Sequence, residues 1–403
     1  MGLIFKVQPQ HKRFWAEIDL DSASWNFKTI KSNLQQNTKL CCVIKANAYG
    51  HGAVQLAKLY SKLGADYFAV SNLEEGMQLR RNGIKEPVLI LGYTSPDCAD
   101  ILSEYSITQS VFSEEYAYQL EECARKANVS IKIHIKLDTG MGRIGFYAKD
   151  GLENASNLES VLNVCNLDHL IPEGIFTHFS SADEGEKGSS YTKMQYENFI
   201  KAIENIEKNG IKFSIRHCAN SAAIFDYPKY HLDMVRAGIV LFGAMPSDDM
   251  RNSADLKPVM SLKAVVSQVK TIDKGEYISY GRTFETPEKM KVATIPVGYA
   301  DGFWRTNSVN GTKLLIKGKR VSILGRVCMD QLILDVSNVE NVNAGDTVTV
   351  IGKQNKDEIT VNELAKRNGT INYEILCSVG ERVPRLYIEN NKIVSVKDNI
   401  ISD

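Results

Sequence analysis

The sequence predicts an α/β chain, a (β/α)8 barrel followed by a mainly β C-terminal domain. Three observations carry this. From about residue 40 to 243, eight short apolar runs alternate with longer amphipathic ones, the pattern of strands and crossover helices in a parallel sheet. Eight repeats packed into so short a stretch favour a closed barrel over an open doubly wound sheet. Beyond about residue 250 the runs become short, β-branched and separated by turn residues, the signature of a β domain.

The eight runs are LCCVIK (40–45), YFAV (67–70), PVLILGY (87–93), ITQSVF (107–112), VSIKIHIKL (129–137), EGIFTHF (173–179), FSIRHC (213–218) and MVRAGIVLFG (234–243). The fourth is the weakest, its apolar pattern being short and broken. Helical spacing marks AVQLAKLYSKLG (53–64), SEEYAYQLEECARKA (113–127) and YTKMQYENFIKAIENIEKNG (191–210). In the second part, KAVVSQVKTI, KVATIPVG, KRVSILGRV, QLILDV and DTVTVIG read as strands. Only ITVNELAKRNG reads as a helix there, with Thr360 as its N-cap. FWAEIDL (14–20) is strand-like and free to pair with either domain. The expected domains are therefore a barrel over 12–250 and a β domain over 251–403, with residues 1–20 able to pair with the latter.

Bulk properties narrow the function. A chain of 403 residues exceeds one ordinary core, so about two domains are expected. Lys plus Arg and Asp plus Glu are 48 each, leaving no basic surplus for nucleic acid. No apolar run is long enough for a signal peptide or a membrane span. Lys6 stands where N-myristoylation needs Ser or Thr. The eight cysteines include no C-x-x-C pair and no Cys/His cluster at zinc spacing. The expectation is a cytoplasmic protein with reduced thiols and no structural metal, nucleic-acid partner or membrane partner.

The polar residues suggest the chemistry. An apolar strand should not end in an ammonium group, yet the first run ends in Lys45. Such an amine either snorkels to water or is neutralised and reactive. Functional residues of a barrel sit at the C-terminal ends of its strands. Arg143 lies just beyond the fifth run, His178 ends the sixth, Asn220 and Ser221 follow the seventh, and Arg236 lies in the eighth. Each has a plain alternative: a core histidine, a surface charge, or, for Ser221, a helix N-cap before AAIF. Arg236 is harder to dismiss, because an Arg inside an apolar strand needs a buried partner. Backbone N–H groups near Ser221 and at Gly238–Ile239 could hold a phosphate after strands seven and eight. A reactive Lys, a phosphate cup and an Arg aimed at a ring nitrogen suit pyridoxal 5'-phosphate.

The motifs VIKANAYGHG, KLDTGMGRIG, THFSSADE, HCANSAA, VRAGIVLFG, ISYGRTF, VGYADGF, RVCMDQ and INYEILCSVGERVPR occur in this order. On them the chain resembles the alanine racemases, pyridoxal-phosphate enzymes built from a barrel and a C-terminal β domain. The resemblance implies racemisation of L-alanine to D-alanine, which supplies peptidoglycan. It implies that Lys45 carries the cofactor as a Schiff base. Tyr49, Ser221, Gly238, Ile239 and Tyr373 would hold the phosphate, and Arg236 would donate to the pyridine nitrogen, keeping it unprotonated. His217 would pack beside the cofactor ring. Arg143 and the Met329 backbone N–H would take the substrate carboxylate, with Asp330, Tyr299 and Lys136 in support.

Racemisation removes the α-proton on one face and returns one on the other, so two bases are needed; the resemblance assigns Lys45 and Tyr280. Both free side chains have pKa values of about 10, so each must be lowered. A chain from Tyr280 through His178 to Arg236 would serve the tyrosine. In the family the tyrosine reaches a partner's barrel, which implies a homodimer with shared active sites. Lys136 aligns with a lysine carbamylated in many members; the alternative is an ion pair with Asp138 or a nearby carboxylate. Cys41 and Cys42 read as core, and Cys328 as either a buried or a reactive thiol. The rival readings are a racemase of another small amino acid such as serine, a decarboxylase, and a pyridoxal-phosphate-binding protein without turnover.

Overall fold

A computed structural model of the chain describes residues 13–400; the expectations drawn on the first twelve residues, on targeting and pairing, lie outside them. The chain divides into two compact units. One holds Ser24–Ala48 and Ala53–Lys257. The other holds Tyr49–Gly52, the chain from Pro258 onward, and the described residues before Ser24.

Strand β1 (Phe14–Asp19) belongs to the second unit, and the barrel begins with β2 (Lys39–Val43). There follow β3 (Tyr67–Val70), β4 (Val88–Ile90), β5 (Ile107–Val111) and β6 (Ile131–Asp138). A two-residue strand, β7 (Phe146–Tyr147), lies against the end of β6, and β8 (Leu170–Phe176), β9 (Ile215–His217) and β10 (Met234–Ala237) complete the series. The order is β10-β2-β3-β4-β5-β6-β8-β9, with every neighbouring pair parallel. Asp233 N donates to Arg216 O (3.1 Å) and Arg236 N to Ala219 O (2.9 Å), which joins β9 to β10 and closes the ring. All eight predicted strands are present.

The weakest of them, β5, is polar inside yet fully buried, because its side chains are bonded. Gln109 Oε1 accepts from Thr94 Oγ1 at 2.7 Å and Ser110 Oγ donates to Ile90 O at 2.5 Å. The predicted helices form as Ala53–Lys62, Glu114–Ala127 and Gly185–Glu207. In the second, the Ser113 side chain accepts from Tyr116 N and so caps the first turn. The third starts six residues earlier than the apolar spacing indicates.

In the second unit β1 pairs antiparallel with Met260–Val265 and parallel with Arg385–Glu389, which settles where FWAEIDL belongs. The sheet continues through Thr347–Gln354, Lys313–Ile316, Lys319–Leu324, Leu332–Asp335 and Met290–Ile295 to Gln268–Ile272. Helix Val361–Arg367 forms as predicted, with Thr360 accepting from Glu363 N. A second helix, Asn372–Cys377, was not expected. Its N-cap position holds Ile371, without a side-chain cap, so no start signal announces it. Among the described residues no helix is long and apolar enough to cross a membrane, and all eight cysteines are free thiols.

Candidate active site

Lys45 stands two residues past the end of β2, on a turn of the wrong hand. Ala46, Asn47 and Ala48 have φ of 51–53° and ψ of 47–51°, and Tyr49 has φ 52°. Four L-residues in succession in the left-handed region cost about 1–2 kcal/mol each. The turn is held from outside. Ala46 N donates to Glu75 Oε1 (2.6 Å), Ala53 N to Asn47 Oδ1 (2.9 Å), and Ala48 N to Ile44 O (2.8 Å). Cys41 and Cys42, one turn of pleat earlier, are fully buried, and burial pushes the Cys41 thiol up to about 12. They are core.

Arg236, on β10, is 4% exposed and its partners are neutral. Nη1 bonds His217 Nδ1 (2.9 Å); Nη2 bonds His178 Nδ1 (3.1 Å), Thr177 O (2.9 Å) and Cys218 O (3.3 Å). Among the described residues no carboxylate pairs with it, and its Nε–H has no acceptor. Burial draws its pKa down to about 10, still far above neutrality, so the guanidinium remains a cation. A guanidinium only donates, so both histidines must present lone pairs on Nδ1. Burial first, and the Arg236 charge second, hold both imidazoles well below the usual histidine range, and hence neutral.

Ser221 opens a short helix, Ser221–Asp226, but does not cap it. The cap is Asn220, whose Oδ1 accepts from Ala223 N at 3.0 Å. Freed from that task, Ser221 Oγ accepts from Gly238 N at 2.9 Å. Its own O–H has no acceptor among the described residues. Ile239 follows Gly238 at the start of the turn Ile239–Phe242. Ser221, Gly238 and Ile239 thus lie together. Within the other unit the Tyr49 and Tyr373 rings lie 5.9 Å apart.

Lys136, on β6, is buried at 4% exposure with its Nζ donating to Leu137 O at 3.0 Å and lying 5.1 Å from the centre of the Phe176 ring. Among the described residues no carboxylate pairs with it. Asp138 is engaged elsewhere, accepting from the N–H groups of Gly140 (2.9 Å) and Gly142 (3.0 Å). Burial, then the charges of Arg236 and Arg143, push Lys136 well below the usual ammonium range. Among the described residues the ion pair considered for Lys136 is therefore absent. Arg143 is exposed and, among the described residues, makes no hydrogen bond or ion pair.

In the second unit Tyr280 is 70% and Met329 53% exposed. Tyr280 sits between Ser279 at φ 66° and Gly281 at φ 73°. Ser279 Oγ donates to Arg326 O at 2.6 Å and lies 3.5 Å from Cys328 Sγ, so the thiol is in contact with protein. Tyr299 N donates to Cys328 O and Ala300 N to Met329 O, both at 3.1 Å. A Cβ on Gly298 would collide with those same two carbonyls.

The family described as alanine racemase, N-terminal domain, matches residues 18–246, and the alanine racemase C-terminal domain matches 259–387. The chain belongs to the alanine racemase family. An alanine racemase of Clostridium tetani is 43% identical over 387 residues, 96% of this chain and 98% of that one. The structure of an alanine racemase of Clostridium difficile superposes with a TM-score of 0.91 at 40% identity, covering 97% of this chain and 99% of that one. A histidine racemase of Leuconostoc mesenteroides superposes at 0.83 and 29% identity, covering 95% and 99%.

Three features around the candidate residues went unread in the sequence. Asp330 accepts from Arg382 Nη2 at 2.6 Å, and Arg382 Nε reaches Asp301 Oδ1 at 2.8 Å. Asp301 is fully buried and also takes Arg13 Nη2 (2.5 Å) and Gly298 N (3.0 Å). It lies inside VGYADGF, and a lone acid in a turn of otherwise small and aromatic residues was the available signal. Thr177 is the second: its carbonyl receives Arg236, and its hydroxyl bonds Thr139 Oγ1 at 2.8 Å. The third is His134 with Glu173, hidden because both occupy positions that read as barrel strand.

Proposed function

We propose that this chain interconverts L- and D-alanine as a cytosolic, pyridoxal-phosphate-dependent homodimer that supplies D-alanine for peptidoglycan. The observation that carries the reading is Arg236. Nη1 bonds one neutral acceptor and Nη2 three, while its Nε–H is left available, which fits a ring nitrogen that receives a hydrogen bond without taking a proton. The Ser221 hydroxyl, with its proton uncommitted beside Gly238, and the facing Tyr49 and Tyr373 rings fit the phosphate. Bound there, pyridoxal phosphate would acidify the α-C–H bond of an amino acid and spread the resulting negative charge. His217 would flank its ring.

The chain supplies the rest. Lys45 would hold the cofactor through its amine and then exchange the α-proton on one face. Tyr280 of a second copy would exchange it on the other, and its 70% exposure supports a role outside its own fold. His178, its Nδ1 committed to Arg236, keeps its proton on Nε2 and can donate it to the tyrosine oxygen. Arg143 and the Met329 N–H would bind the substrate carboxylate, with Asp330 and Tyr299 fixing the Met329 loop. We place a carbamate on Lys136: a buried amine whose pKa burial lowers, with no carboxylate partner among the described residues, is a nucleophile toward carbon dioxide, and the product, formed with release of one proton, would orient Arg143.

The test is circular dichroism of L-alanine, and separately L-serine, with the protein and pyridoxal phosphate in deuterated water, with proton NMR of the same samples. Decay of the alanine signal to zero with loss of its α-proton is expected. Faster loss with serine would keep the mechanism and change the substrate. A different amino acid is the second reading, favoured by the likeness to a histidine racemase. No change with either amino acid would favour a decarboxylase or a binding protein.

A further inference from the structure

The axis of a (β/α)8 barrel is ordinarily filled by branched aliphatic side chains. Here it carries a polar column. Below Arg236, His217 Nε2 lies 2.9 Å from His134 Nδ1, and His134 Nε2 lies 3.4 Å from Glu173 Oε2. His134 and His217 are both fully buried. Glu173 also accepts from Tyr67 Oη (2.9 Å) and Lys132 Nζ (2.6 Å). These are the titratable groups that face it.

The backbone is built around this column. The β6–β8 register shifts between Ile133 and His134, so that Ile133 pairs with Pro172 and His134 with Gly174, leaving Glu173 as the extra residue. A bulge of this kind re-aims a side chain. Gly174 makes the room: a Cβ there would lie 2.6 Å from His134 Cε1.

Donor arithmetic fixes the protons. Arg236 has only donors, so His217 Nδ1 accepts and the one proton of neutral His217 is on Nε2. That proton points at His134 Nδ1, which must accept, so the proton of His134 is on Nε2 and points at Glu173. Every link donates toward the carboxylate.

We propose that Glu173 is a positioning residue for the racemase site, accepting the last proton of this donor chain and so holding His134, His217 and, through them, Arg236 in orientation. The inference rests on the function proposed above. Glu173 is also the countercharge that Arg236 lacks at contact distance, linked to it through two polarised imidazoles.

The experiment is nitrogen-15 NMR of the imidazoles in the holoenzyme, for the unaltered protein, Glu173→Gln and Glu173→Leu, with kcat and KM for alanine and the affinity for pyridoxal phosphate. In the unaltered protein Nε2 should be protonated and Nδ1 unprotonated in both histidines. Glu173→Leu, which leaves the His134 Nε2 proton without its acceptor, should shift the His134 Nε2 resonance and lower kcat about tenfold with KM within about twofold. Glu173→Gln, which still accepts from His134, should restore that resonance and most of kcat. An Nδ1 proton on His217 in the unaltered protein overturns the proposal, whatever the variants do. So does a Leu variant with an unchanged His134 Nε2 resonance or unchanged kcat. If the tautomers behave as expected but the protein racemises nothing, the relay stands and the proposed function fails.

Discussion

Arg236 Nη2 donates to His178 Nδ1 at 3.1 Å, and this one contact fixes both the protonation and the direction of the histidine. Its remaining proton, on Nε2, faces away from the arginine. The contact links the group proposed to meet the ring nitrogen to the group proposed to meet the second base. The outcomes below follow from this arrangement and the contacts around it.

Lys45→Ala should give a colourless protein. The visible absorbance that develops when the unaltered protein takes up pyridoxal phosphate should be missing, and alanine racemisation should fall to background. A yellow, active variant would remove Lys45 from its role.

Tyr280→Phe should act on one direction of the reaction. General-base groups contribute about 10²–10⁴-fold, so α-proton exchange from one enantiomer should slow by that order while exchange from the other slows far less. Deuterium incorporation into L- and D-alanine, measured separately, reads this. Equal losses would contradict two bases on opposite faces.

For Lys136, carbon-13 NMR of the protein in labelled bicarbonate should show a carbamate signal that Lys136→Ala lacks. In that variant the KM for alanine should rise about tenfold, as expected if the carbamate orients Arg143 and Arg143 binds the substrate carboxylate. Added acetate should recover part of the loss.

Acid should weaken the barrel before its carboxylates protonate. Burial holds the folded-state pKa values of His134, His178 and His217 below the usual value, so below about 6.5 the unfolded chain binds more protons than the folded one. Stability is then complete above that pH and lost as pH falls, by up to about 1.4 kcal/mol per pH unit for each histidine. Glu173 is held at about 2, chiefly by its bond to His134. Its contribution persists above the usual carboxylate range and disappears only as pH falls toward 2. Urea midpoints at pH 7.5 and 5.5 should differ clearly, with the lower one at 5.5.

Asp301→Asn should destabilise the second unit. The carboxylate is fully buried, and both Arg13 and Arg382 bond to it. Because both guanidinium groups reach water, a loss of about 2 kcal/mol is expected, read as a lower urea midpoint. Since Arg382 also holds Asp330, the KM for alanine should rise with it.

The sequence announced those features whose residues break a local rule. Lys45 ends an apolar run, and Arg236 interrupts one. Features that obey a local rule stayed hidden. His134 and Glu173 fit strand periodicity, and only the bulge at Glu173 turns them into one column. Ser221 looked like a cap because it precedes AAIF; that Asn220 takes the cap depends on how β9 delivers the chain. Strand β5 was faint for the opposite reason: its interior polar side chains are satisfied by neighbours distant in sequence, which no window along the chain can see. Helix Asn372–Cys377 has no side-chain cap to mark its start.

The turn after β2 has a consequence for the order of events during synthesis. Ala and Tyr have no preference for a left-handed path, and the contacts that hold it include those of Glu75 and Ala53. A nascent chain that has not yet made residue 75 therefore cannot present Lys45 as the finished barrel does. Until then Lys45 is one amine among many. The turn's geometry comes from assembly of the fold, and a ribosome-bound fragment that ends short of Glu75 carries the sequence of the turn without the Glu75 contact that holds it.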